Sequence, residues 1–216
     1  ELCNIQALAP AALSTPSAVV PNGVDLERNS GNWGSLRPYT LIYSGALTYQ
    51  ANFDAMQFFL REVFPLIKSQ CPPVKLYITG GHQGVPIQEL PLCDHVELTG
   101  YLDDIRPAVA QSWACVVPLR IGGGTRLKIL EAMALGTPVV STSKGAEGLE
   151  VEHKKSILIA DEPQDFADQV IALLRDEHLR ERLSVNGRRL VEERYSWERS
   201  ARCLEQLLYQ VRGADD

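Results

Sequence analysis

The chain has 216 residues, enough for one large α/β domain or a domain with appendages, and its 45% hydrophobic and 22% charged content is ordinary for a globular protein. A formal net charge of -6 disfavours broad attraction to nucleic acid or anionic membrane, so any phosphate ligand must be held by local groups. The five cysteines, Cys3, Cys71, Cys93, Cys115 and Cys203, include no CxxC pair, which argues against a zinc site and for a reducing, cytosolic compartment. No apolar run reaches the roughly 18 residues of a membrane span, and there is no signal-peptide pattern.

Residues 1–36 are rich in Ala, Pro, Ser, Asn and Gly and show little periodicity. Within them SAVVPNGVD (17–25) reads as a short apolar strand before an Asn22-Gly23 turn, and 29–35 reads as a polar loop. A start at Glu1 rather than Met suggests that these residues are the tail of something longer. From Tyr39 the texture changes. Short apolar runs at 39–45, 74–80, 95–100, 114–119, 138–142 and 156–160 lack strict alternation, as expected of strands covered on both faces. Helical patterns fall between them at about 51–69, 86–90, 103–111, 125–135 and 143–148, followed by a purely helical tail at 163–175, 177–194 and 196–211. Alternating βα units of this length predict a doubly wound parallel sheet of Rossmann type, with extra C-terminal helices.

In such a sheet ligands sit at the carboxyl ends of the strands. The loops there are 44–52, 80–84, 99–104, 119–125 and 143–148, each with glycine or small polar residues. The richest is in PLRIGGGTRLKILEAMALGTPVV (118–140), where three glycines end an apolar strand and open a helix. Glycines admit a phosphate close to the backbone, and a helix start offers N–H groups without intrahelical partners. At about 100° per residue Thr125, Lys128 and Glu131 share one stripe, while Leu127, Leu130 and Ala134 form the stripe expected to face the sheet. The axial rise from Thr125 to Glu131 is roughly 9 Å, which suits a diphosphate at the helix end and a ribose beside it. The plainer reading is a tight glycine turn followed by a solvated Lys128–Glu131 ion pair. Arg120 and Arg126 flank the glycines and read equally as diphosphate neutralisers or as surface charges. Glu147, in the run GAEGLE, reads as a sugar-hydroxyl contact or as a simple turn carboxylate. GxxxxGK[ST], GxGxxG and GxSxG are all absent, and no His, Cys and carboxylate cluster suggests a metal.

Taken together, PNGVD (21–25), SGAL (44–47), the 116–142 stretch, GAEGL (145–149) and YSW (195–197) resemble the family 4, group 1 glycosyltransferases of GT-B fold. The resemblance is to their C-terminal, donor-binding half. It implies that 37–216 is that domain, and that 1–36 is the interdomain connection and remnant of an N-terminal, acceptor-binding domain. It further implies transfer of a sugar from a nucleotide-sugar with retention, without a metal or other cofactor, in a cytoplasmic enzyme that could work at the inner face of a membrane. Glu131 matches the second glutamate of the family's E-x7-E motif and would bind ribose; the first falls on Gly123. The amides of Gly123, Gly124 and Thr125 would hold the diphosphate, and Gly45 and Tyr101 would complete the nucleotide contacts. The basic residues frequent after the first strand fall on Ala46 and Ala51. The expected substitutes are Arg120 and Lys128, with Glu147 supplying sugar contacts in the catalytic set. A GT-B epimerase acting on a nucleotide-sugar, or a non-enzymatic nucleotide-binding module, remains as an alternative.

Overall fold

The computed structural model describes residues 17–212. Six strands form one parallel sheet: β1 (Arg37–Ser44), β2 (Lys75–Thr79), β3 (Val96–Gly100), β4 (Ser112–Val117), β5 (Val139–Ser141) and β6 (Leu158–Ile159). Their spatial order is β3-β2-β1-β4-β5-β6. The chain winds outward from β1 through β2 to β3, then returns to lay β4 on the other side of β1. Ile42 in β1 therefore pairs with Tyr77 on one flank and Cys115 on the other. The connections on either side of this point depart in opposite directions, which opens a crevice at the carboxyl ends of β1 and β4.

The helices are α1 (Gln50–Phe58), α2 (Phe64–Gln70), α3 (Arg106–Ala110), α4 (Leu127–Ala134), α5 (Pro163–Arg175), α6 (Glu177–Arg194) and α7 (Trp197–Arg212). The single helix expected over 51–69 is divided, because Phe59–Val63 adopts a π-helical turn between α1 and α2. That turn buries Phe59, whose ring meets Phe166 of α5 edge-on at 5.9 Å. The helix expected over 143–148 does not form; that segment is a series of turns held by Ala146 N–H to Thr142 O at 3.0 Å. Residues 17–20 are not a strand either, as Val24 alone bridges, to Ser196.

Leu41, Ile42 and Tyr43 of β1, Cys115, Val116 and Val117 of β4, and Val139 and Val140 of β5 are completely buried. This explains the near-continuous apolar runs of the sequence, since helices cover the sheet on both faces. Tyr195 of the YSW run anchors the C-terminal end of α6: its ring is buried and its hydroxyl accepts the Glu150 N–H at 2.6 Å. Its carbonyl accepts the Val24 N–H at 2.7 Å, and Ser200 Oγ donates to Pro21 O at 2.7 Å. The connection before β1 is thus docked along the start of α7, close to the crevice. Residues 1–16 of the expected connection lie outside the described residues. Among the described residues no helix is long and apolar enough to cross a membrane.

Candidate functional site

The crevice widens into a cavity of about 490 Å3. Ser44 at the end of β1, Tyr101 and Leu102 after β3, and Lys128 and Glu131 of α4 line it, with Arg28 and Trp197 on the side of the docked connection. Helix α4 starts at Leu127, two residues later than the pattern suggested, and no side chain caps it. Its sheet-facing stripe contains Ile129, Leu130, Met133 and Ala134. Leu127 does not belong to it: the side chain is 39% exposed and lies on the cavity wall, because the glycine loop delivers it to the rim.

Lys128 and Glu131 do share the cleft-facing stripe, but not as an ion pair. Lys128 Nζ donates to Tyr43 Oη and Asn52 Oδ1, both at 3.1 Å, and lies 4.2 Å from the centre of the Tyr43 ring. Tyr43 donates its own hydroxyl proton to Asn52 Oδ1 at 2.7 Å, and Asn52 Nδ2 donates to Ala46 O at 2.8 Å. Gly45 completes this corner, since a Cβ there would sit 2.7 Å from Lys128 Nζ. Burial lowers the Lys128 ammonium to about 8, with the nearby Arg126 charge acting in the same direction. Burial also raises the Tyr43 phenol well above its ordinary range. Glu131 is solvent-accessible, yet the cavity walls displace part of its surrounding water, and this desolvation raises its carboxyl pKa while Lys128 opposes the shift.

The glycine loop is open on its outer side. A Cβ on Gly123 or Gly124 would meet nothing within 4 Å, and Gly124 has a φ of +80°, which side chains other than glycine rarely adopt. Thr125 is exposed beside them. Behind the loop Arg126 is only 9% exposed; its Nη1 donates to the carbonyls of Gly123 and Gly124. Its Nε and Nη2 are buried without a hydrogen-bond partner.

The remaining expected residues sit at the same end of the sheet in other company. Arg120 pairs with Asp54 of α1 at 2.7 Å, and its guanidinium stacks 4.7 Å from the Phe58 ring centre. Glu147 pairs with Lys144 at 2.6 Å, and that hydrogen bond holds its carboxyl below the ordinary range. Tyr101 is 75% exposed on the cavity rim. Tyr43 and Asn52 were not among the sequence candidates. The sequence alone carried little signal for either; the need of the Asn52 amide for a polar partner emerges only once the fold buries it with Ala51 and Phe53. Among the described residues no three His, Cys, Asp or Glu side chains gather as metal ligands.

Residues 38–176 match the family model described as Glycosyl transferases group 1. The phosphatidyl-myo-inositol mannosyltransferase of Mycobacterium leprae is 31% identical over 201 residues, covering 86% of this chain and 51% of that one. The chain spans about half the length of the relatives it matches, 42% to 51% for the first two. Among solved structures, Anabaena HepE in complex with UDP and glucose superimposes with a TM-score of 0.72 at 19% identity, over 89% of this chain and 56% of that one. The C-terminal domain of a group 1 glycosyl transferase, LpcC, from Francisella tularensis gives a TM-score of 0.58 at 16% identity, over 83% of this chain and 97% of that one. These structures share the fold.

Proposed function

Because the chain belongs to the group 1 glycosyl transferases, we propose that it is the donor-binding domain of an enzyme that moves a sugar from a nucleotide-sugar to an acceptor with retention of configuration. One observation carries this reading. A single helix at the β1–β4 crossing sends one cation, Lys128, toward the end of β1 and one carboxylate, Glu131, into the cavity, directly after an open glycine loop. The amides of Gly123, Gly124 and Thr125 and the Lys128 ammonium would take the diphosphate. Glu131 would accept hydrogen bonds from the ribose hydroxyls, and the base would lie against Tyr101 and Leu102. HepE, bound to UDP and glucose, has the same fold and supports the ligand class.

In this reading the positive groups around the loop stabilise the charge that develops on the departing diphosphate, without a metal ion. Arg120 acts at one remove, by fixing α1 through Asp54. Glu147, three residues from Lys144 on the turn after β5, reaches the sugar only if that pair opens. The acceptor would bind to a second domain, which the greater length of the relatives supports, so these residues alone would bind donor and transfer little or nothing. The enzyme would work in the reducing cytoplasm, where the unpaired Cys71 and Cys115 persist.

A thermal-shift screen of UDP-, GDP- and ADP-sugars tests the proposal. Stabilisation by a ligand follows RT ln(1 + [L]/Kd), so even weak donor binding shifts the midpoint at millimolar concentration. One base class should stabilise the chain selectively. No shift with any of them, or conversion of the donor to an epimer without an acceptor, would remove this reading.

A further inference from the structure

Three guanidinium groups in this fold present the same side-on pair of donors, Nε and Nη2. In Arg106 that pair grips both oxygens of Asp104, at 2.8 and 2.8 Å. In Arg120 it grips both oxygens of Asp54, at 3.2 and 2.7 Å. In Arg126 the same two nitrogens are buried and meet no acceptor. The planar fork matches two oxygens of one carboxylate or one phosphate, and a buried donor without a partner carries a desolvation cost that such an anion would remove.

The surroundings of Arg126 select the anion. A Cβ built on Gly122 would lie 3.5 Å from Arg126 Nη2, 3.5 Å from Ala51 Cβ and 3.6 Å from Tyr49 Oη, so the glycine keeps the backbone beside the guanidinium bare. Among the described residues no carboxylate pairs with it, and Glu147, whose carboxyl pKa it also lowers at longer range, is paired with Lys144. The other edge of the guanidinium is taken, since Nη1 holds the carbonyls of Gly123 and Gly124. Holding the carbonyls from behind sets the course of the open loop ahead of the uncapped start of α4, where backbone N–H groups also favour an anion.

We infer that Arg126 is a diphosphate-binding residue of this site: Nε and Nη2 take two oxygens of one phosphoryl group while Nη1 braces the glycine loop whose amides meet the other. The inference rests on the nucleotide-sugar reading for its physiological ligand, but its geometry asks only for a diphosphate. Of the two arginines that flank the glycines, Arg126 thereby takes the role that the family resemblance gave to Arg120 beside Lys128.

Titration calorimetry with inorganic pyrophosphate, UDP, GDP, ADP and the matching nucleosides tests it on the wild-type chain and on Arg126→Gln and Arg126→Lys. Arg126→Gln should weaken pyrophosphate and the preferred nucleoside diphosphate by about tenfold or more, the scale of a lost pair of charge-assisted hydrogen bonds, and leave the nucleoside within about twofold. Arg126→Lys, which keeps the charge and loses the fork, should recover part of that affinity. Unchanged pyrophosphate and diphosphate binding in Arg126→Gln overturns the assignment. So does an equal loss for the nucleoside, which would make Arg126 only a scaffold of the loop. If Arg126→Gln loses its folded circular-dichroism spectrum, Arg126→Lys decides: a loss of about threefold or more for pyrophosphate supports the assignment, and no loss overturns it. A wild-type chain that binds pyrophosphate through Arg126 but no nucleotide removes the nucleotide-sugar reading and leaves the anion seat standing. One that binds neither overturns both.

Discussion

Lys128 Nζ lies 3.1 Å from Asn52 Oδ1, across a sequence separation of 76 residues. The bond joins the helix after β4 to the helix after β1, and so closes the point where the two halves of the sheet part. Both acceptors of the ammonium, Asn52 Oδ1 and Tyr43 Oη, are neutral. Lys128 is therefore a cation held in place without a counter-charge in contact, which is the state that favours an incoming phosphate.

That state costs stability. The Lys128 pKa is about 8 in the folded chain, against roughly 10.4 for an unfolded lysine. Between those values the unfolded state binds more protons, so the lysine's contribution to stability rises with pH through the window and is least favourable below about 8. Lys128→Met removes the buried charge and leaves the 2.7 Å Tyr43–Asn52 bond intact. Its melting midpoint at pH 7 should rise by roughly 2–4 °C, equivalent to about 1 kcal/mol, and the gain should shrink above pH 8. A lower midpoint for Lys128→Met at pH 7 contradicts this account.

Donor binding should depend on pH in the opposite sense. A diphosphate stabilises the charged ammonium and raises its pKa, so binding near pH 8 takes up a proton. Affinity for UDP-glucose, or for whichever donor the thermal screen selects, should fall as pH rises from 7 to 9 and approach a tenfold loss per unit above 8. Calorimetry in buffers of different ionisation heat measures the uptake directly. Equal heats in all of them at pH 8 would rule out Lys128 as the titrating group.

Glu131 makes a separable contribution. Its carboxylate is assigned to ribose, so Glu131→Ala should weaken UDP by about tenfold, leave pyrophosphate unchanged and abolish the preference for UDP over its 2′-deoxy analogue. The same comparison applies to the selected base if it is not uracil. A preference that survives the substitution would place the ribose elsewhere.

Gly45 shows how closely this corner is built. Its φ of +153° is rare for residues with a side chain, and an added Cβ would come within 2.7 Å of Lys128 Nζ and 2.8 Å of Asn52 Nδ2. Gly45→Ala should therefore cost about 1–3 kcal/mol in urea denaturation and weaken nucleotide binding through the displaced lysine. A variant as stable as wild type would mean that the corner relaxes freely.

The alternation of strands and helices was legible along the chain because each apolar run and each helical stripe is a local pattern. It placed the six strands close to their observed positions, and helices α5 and α6 at their observed bounds. It also put Lys128 and Glu131 on one face of α4. Where local pattern was thin it failed: six residues at 143–148 were too few to separate a helix from a run of turns. The partners of the charged side chains were not legible at all. Arg120, Arg126 and Lys128 occupy one short motif, yet one meets a carboxylate on α1, one meets loop carbonyls, and one meets a tyrosine and an amide from β1 and α1. By itself the sequence determined the order of elements and the helix face on which the site is built, since both follow from backbone periodicity over a few residues. Only the tertiary structure decided which cation is spent and which is available, because that depends on the acceptors that distant segments bring within about 3 Å.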